Sequence, residues 1–141
     1  MTIFLRTSKG DKIITPPPES LFVDLSPLVQ VPRGTYAATQ CDLVVQNGMC
    51  HLSMTWRRSV AVTYTSHNNC TNILTLPLEY RPKRQINTTG LIITDANVSG
   101  ASFVRSVANV NCHPNGTLNF WSTVLTHDVG MYYITSFSYQ I

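Results

Sequence analysis

From Gly34 to Ile141 apolar and polar residues alternate every second position, in runs broken by turn residues, and no stretch carries the period of an amphipathic helix. The clearest run is Asp42–Gln46, the pair Asn47-Gly48, then Met49–Trp56. Asn-Gly readily adopts the two positive φ angles of a type I′ hairpin turn. In the second arm Cys50, Leu52, Met54 and Trp56 alternate with His51, Ser53 and Thr55, which predicts a strand burying one face. Ser59–Thr65 reads as a third strand and Ser66–Asn72 as a polar loop. Gly90–Thr94 and Ala101–Asn111 follow as strands around the loop Asp95–Gly100. A second Asn-Gly, in His113-Pro114-Asn115-Gly116, leads into Thr117–Thr123. Finally, Met131–Ile141 sets Met131, Tyr133, Phe137, Tyr139 and Ile141 on one face, with Thr135 interrupting. The predicted fold class is all-β, a compact antiparallel sandwich or barrel.

Between the two hairpin blocks lies Leu76-Pro77-Leu78-Glu79-Tyr80-Arg81-Pro82. Each proline fixes φ, lacks an amide donor and pushes the preceding residue toward extended geometry. The segment is therefore expected to be an extended crossover with Leu76, Leu78 and Tyr80 on one side. Residues 1–33 differ from the rest: Pro16-Pro17-Pro18 favours polyproline geometry, and Pro27 and Pro32 recur close by. Ser20–Leu25 reads as one helical turn or a short strand. This segment is expected to be a neck or arm that packs on a partner, with an edge of the same domain as the alternative; residues 34–141 form the head.

Composition narrows the classes. Charged residues make up 12% of the chain, about half the usual share, which suits strands faced with Ser, Thr and Asn. The net charge of +3 is spread along the chain, with one small cluster at Arg81, Lys83 and Arg84, so no nucleic-acid stripe is present. Met1–Leu5 is too short for a signal peptide and is ended by Arg6. No apolar run approaches the ~18 residues of a membrane span. The expectation is a soluble chain, made in a cytoplasm or excised from a longer polypeptide. The first hairpin's register sets Cys41 opposite Met54 and Val45 opposite Cys50, so Cys41 and Cys50 are poorly placed to bridge. With Cys70 and Cys112 they are expected to be free, buried thiols.

Enzyme signatures are scarce. The seven carboxylates are dispersed, and Gly-x-Ser-x-Gly, P-loop, Gly-x-Gly-x-x-Gly and His-Glu-x-x-His motifs are absent. Cys50-His51 and Cys112-His113 each offer one inward ligand, because neighbours on a strand point to opposite faces; no metal or other cofactor is expected. Asn69, Asn87, Asn97 and Asn115 each begin Asn-x-Ser/Thr and read as turn and loop asparagines. Phe120-Trp121 and Tyr132-Tyr133 are informative, since one member of each pair must face outward. An outward Trp121 serves a subunit contact or stacks on a sugar ring. Arg57-Arg58 and His127-Asp128 supply polar groups able to orient hydroxyl or acidic groups.

Residues 34–141 resemble the head domains of receptor-binding, tail-fibre and baseplate proteins of tailed phages. The resemblance is carried by the hairpin Val44–Leu52, by Leu76-Pro77-Leu78-Glu79-Tyr80-Arg81-Pro82, and by Asn115-Gly116-Thr117-Leu118 with the ending Met131–Tyr139. The terminal Phe137-Ser138-Tyr139 is also similar to the end of adenovirus fibre heads. Four cysteines and Glu79 depart from the phage pattern. The resemblance implies a non-enzymatic, homotrimeric β-head at the tip of a virion tail or fibre, attached to a shaft or baseplate protein through residues 1–33. Its expected partner is a host cell-surface carbohydrate or receptor. The alternatives are a structural baseplate or decoration protein without a receptor, a head for a eukaryotic receptor, or a saccharide depolymerase. The expected ligand-binding residues are Trp121, His127 and Asp128 at one end of the sandwich, with Arg57 and Arg58 as a second patch.

Overall fold

Asn47 and Gly48 carry φ angles of 54° and 71°. The first hairpin therefore turns as its sequence demands, and Gln46 pairs with Met49, Val45 with Cys50 and Cys41 with Met54. The structure, a computed structural model, describes residues 3–7, 10–14, 19–30, 36–67, 70–94 and 103–141. The polyproline stretch Pro16–Pro18, Pro32 and the loop Asp95–Gly100 lie outside them.

Strands β1 (Ile3–Thr7) and β2 (Gly10–Ile14) pair as a hairpin of their own. The main sheet is built from β3 (Leu21–Asp24), β4 (Tyr36–Gln46), β5 (Met49–Arg58), β7 (Leu74–Thr75), β8 (Ile86–Thr94), β9 (Phe103–Cys112), β10 (Thr117–Trp121) and β12 (Tyr132–Gln140). Its order is β3-β4-β5-β12-β8-β9-β10-β7, and every pairing is antiparallel. Strands β6 (Val62–Thr63) and β11 (Thr126–His127) form a separate ribbon. Among the described residues the helical content is two short 3-10 turns, Ser26–Leu28 and Leu78–Tyr80. The protein is all-β.

The sheet curls on itself. Strands β5 and β10 are four places apart in it, about 19 Å if it were flat. Yet the Trp56 and Phe120 ring centroids are 5.0 Å apart, edge to face. The two margins also meet, since the Gln30 amide donates to the Ile73 carbonyl at 2.7 Å. The inward face is the alternating set of each strand: Leu43, Leu52, Trp56, Ile92, Phe120 and Tyr133 are all fully buried. Thr135, the polar interruption on β12, is buried too, and its hydroxyl is satisfied by donating to the Thr89 carbonyl at 3.1 Å. Cys41, Cys50, Cys70 and Cys112 are free and buried. Burial pushes the thiols of Cys41 and Cys112 up to about 12.

Three stretches differ from the sequence reading. Leu21–Asp24 is the sheet's edge strand, paired with Asp42–Val45, which is the alternative given above for that stretch. Of Ser59–Thr65 only Val62 and Thr63 are strand, and they pair with Thr126 and His127. Strand β5 already has β4 and β12 at its two sides, so the chain beyond Arg58 has no edge to extend. The crossover is extended at Pro77 and Arg81, but Leu78–Tyr80 winds into a 3-10 turn closed by the Tyr80 amide donating to the Pro77 carbonyl at 3.0 Å. That turn separates the side chains expected together: Leu76 is buried, Tyr80 half-buried and Leu78 76% exposed. Arg81 anchors the crossover by donating from Nε to the Leu76 carbonyl at 3.0 Å.

Candidate functional site

The second Asn-Gly sits in a different turn from the first. Gly116 donates its amide to the His113 carbonyl at 2.8 Å and takes φ of 89°. Asn115 Oδ1 accepts from the Thr117 amide and hydroxyl, so this asparagine is held as a turn residue. Counting outward from the turn, Leu118 pairs with Cys112 and Trp121 with Asn109. Phe120 then points into the core, and Trp121, one residue on, is half-buried on the outer side.

Trp121 lines a hollow of about 160 Å³ together with His67, Val107, Asn109, Ser122 and Thr123. The Ser122 hydroxyl fixes the rim, accepting from the Val124 amide at 3.0 Å and donating to the Ser106 hydroxyl at 3.4 Å. The indole Nε1 of Trp121 is buried and has no acceptor among the described residues. An unpaired buried donor costs about 1–3 kcal/mol. The hollow thus combines an aromatic ring with an amide, two hydroxyls and an imidazole, the groups that hold a sugar ring by stacking and hydroxyl hydrogen bonds. Its size suits a single ring.

His127 and Arg58 meet elsewhere, inside the protein. His127 Nε2 lies 2.7 Å from the Val124 carbonyl, which can only accept, so Nε2 carries the proton. Nδ1 then accepts from the Tyr133 hydroxyl. The Tyr133 oxygen in turn accepts from Arg58 Nε at 2.9 Å, while Arg58 Nη2 donates to the Tyr64 hydroxyl at 3.0 Å and lies 3.9 Å from Cys70 Sγ. The rings of His127 and Tyr133 stack at 5.5 Å. Burial holds His127 below the ordinary histidine range, helped by the Arg58 charge and opposed by the Val124 carbonyl and Asp128. Burial likewise raises Tyr64 to about 12.

These positions correct the expected site. Trp121 does line a hollow, but His127 and Asp128 do not share it. His127 is fully buried and bonded within the core, so no surface ligand reaches it, whereas Asp128 is exposed beside it. Arg57 and Arg58 do not form one patch, because the pleat sends them to opposite faces. Arg58 is fully buried, and Arg57 lies half-buried over the outward ring of Tyr132 at 5.4 Å. Asn109 is not reached by the count that serves the first hairpin, because the second Asn-Gly closes a three-residue loop and shifts the register by one. His67 comes from a loop whose place no local pattern gives.

The carboxylates are less dispersed than the sequence suggested, since Asp24 and Asp42 are cross-strand partners on β3 and β4. Bonds from Ser26 hold Asp24 below the usual carboxylate range, the opposite of what a general acid at neutral pH needs. Asp42 Oδ2 accepts from Gln40 Nε2 at 2.7 Å. Among the described residues no three His, Cys, Asp or Glu side chains are grouped to hold a metal ion, and no helix is long and apolar enough to cross a membrane. Of the Asn-x-Ser/Thr asparagines, Asn87 lies on β8 rather than in a loop and accepts from Gln85 and Asn111; Asn69 and Asn97 lie outside the described residues. No protein-family model matches the chain, and a search of curated proteins finds no match either.

Proposed function

We propose that this chain is a non-enzymatic attachment head of the viral fibre or baseplate kind, holding a cell-surface saccharide in the Trp121 hollow. The observation that carries this reading is the hollow itself: a half-buried indole among Asn109, Ser122, Thr123 and His67. The indole N–H of the same ring is buried with no acceptor among the described residues. A glycan array probed with the purified protein at pH 7.5 tests it. Signal is expected for a restricted set of glycans, reduced about tenfold or more by Trp121→Ala, since an aromatic contact alone is worth ~0.5–1.5 kcal/mol beyond its buried area. An array without signal, or one that Trp121→Ala leaves unchanged, favours the structural baseplate or decoration reading.

Association of copies belongs to the same proposal. On the outer face of β12, β8 and β9, Ile134 neighbours Leu91 and Leu91 neighbours Val107; Tyr132 neighbours Ile93 and Ile93 neighbours Val104. Leu91, Val104 and Val107 are 37%, 53% and 59% exposed. An apolar outward face on three adjacent strands is the kind that a symmetric oligomer covers. Several weak sugar sites on one rigid head then gain roughly 10²–10⁴ in avidity. Light scattering at micromolar concentration is expected to give a trimer, and Val104→Asp, outside the hollow, to shift it toward monomer. A monodisperse wild-type monomer would remove this part of the proposal.

A further inference from the structure

The ribbon of β6 and β11 joins the buried cluster to the Trp121 hollow. One side of the ribbon, Val62–Thr63, leads on to Tyr64 and to His67 in the hollow's lining; the other, Thr126–His127, is preceded by Ser122 and Thr123 in the same lining. The ribbon is short: two residue pairs, plus the Tyr64 amide donating to the Leu125 carbonyl at 2.9 Å. His127 is its inward anchor, seated against Tyr133 of β12, Arg58 of β5 and Tyr64, whose ring meets the imidazole edge to face at 5.0 Å. Cys70 lies beyond Tyr64 and Arg58, and among the described residues the exposed Asp128 is the only carboxylate acting on the imidazole.

We propose that His127 is an acid-sensitive latch, whose protonation releases the β6–β11 ribbon and with it the part of the Trp121 hollow's lining that His67, Ser122 and Thr123 supply. The hydrogen-bond polarity requires the neutral ring. Nε2 must donate to Val124, and Nδ1 must accept from Tyr133, whose oxygen is already receiving Arg58 Nε. A second proton on the imidazole turns Nδ1 into a donor facing that same oxygen. It strands the Tyr133 hydroxyl hydrogen in the core and sets two cations on either side of one phenol. A buried charge so placed is not tolerated, and Asp128, in solvent, compensates little. The open ribbon puts His127 in water, where it protonates with an ordinary histidine pKa near 6.5.

The sign follows. Burial depresses the closed-state value, so the closed form is fully favoured above about pH 6.5 and loses ground as pH falls below it. The opening equilibrium rises by up to about tenfold per pH unit in that window, and roughly tenfold between pH 7.5 and 5.5. Release of the ribbon stands by itself; its effect on a bound saccharide rests on the proposed role of the hollow.

Amide hydrogen exchange on the full chain, corrected for intrinsic exchange at each pH, reads the opening at the Tyr64 amide. The expected result is a roughly tenfold rise between pH 7.5 and 5.5, while amides of the β5–β12 pair stay protected. His127→Gln is expected to abolish the rise, and His67→Gln, at the hollow's exposed histidine, to leave it intact. A flat wild-type response overturns the latch, as does an equal rise in β5–β12, which is global unfolding. The wild-type measurement decides even if the His127 variant fails to fold. Because it needs no ligand, a silent glycan array with a rising Tyr64 opening removes the saccharide reading and keeps the latch. Array signal with a flat opening does the reverse.

Discussion

Trp56→Ala lowers the free energy of unfolding by about 3–5 kcal/mol, the usual cost of deleting a fully buried large aromatic. Trp56 is entirely inaccessible, stacks on Tyr133 with centroids 4.8 Å apart and planes 3° from parallel, and meets the edge of Phe120. Tyr133 is its cross-strand partner, whereas Phe120 comes from across the curled sheet. The residue therefore joins local pairing to the long-range closure, and alanine leaves a cavity that neither a rigid sheet nor two large rings can fill. Urea unfolding checks this through the midpoint at unchanged slope. A loss below about 1 kcal/mol, the scale of a surface substitution, would show that the curl is held by something other than this aromatic contact.

Gly90→Ala is the second large effect, and it acts by excess rather than by loss. A Cβ at Gly90 would stand 2.3 Å from Cε2 and 2.5 Å from Cζ of Phe120, and 3.0 Å from the Ile134 carbonyl oxygen. The Phe120 ring has no room to retreat, being fully buried with Trp56 at 5.0 Å and Tyr133 at 5.8 Å. Overpacking of this kind costs about 1–3 kcal/mol and more where neighbours are fixed. The double variant Gly90→Ala/Phe120→Leu is expected to be more stable than the sum of its two single changes implies, with a coupling of about 0.5–3 kcal/mol between contacting sites. Additivity in that cycle would show that the methyl group is accommodated without touching Phe120.

Much of this architecture is legible in the chain. Asn47-Gly48 fixes one turn and the pleat fixes the faces, so the register of β4 on β5 follows by counting; the second Asn-Gly closes a three-residue loop, and the register of β9 on β10 is one residue off the same count. The strand order is not legible. Strand β5 takes the last strand of the chain as its neighbour, and that strand takes β8, pairings that no local pattern encodes. At the site, the adjacency of Phe120 and Trp121 was enough to send one of them outward. The alternation of Cys50, Leu52, Met54 and Trp56 already placed Arg58 inside; its charge argued for the surface, and the Tyr133 and Tyr64 phenols that receive it lie far off in sequence or beyond a break in the strand. His127 is illegible for the same reason, since a polar residue in a loop and one anchored in a core share the same local pattern.

With no covalent tie among Cys41, Cys50, Cys70 and Cys112, noncovalent contacts hold the main sheet shut. Its integrity is therefore indifferent to the redox potential of its surroundings, and sulfur chemistry begins only after the chain has opened.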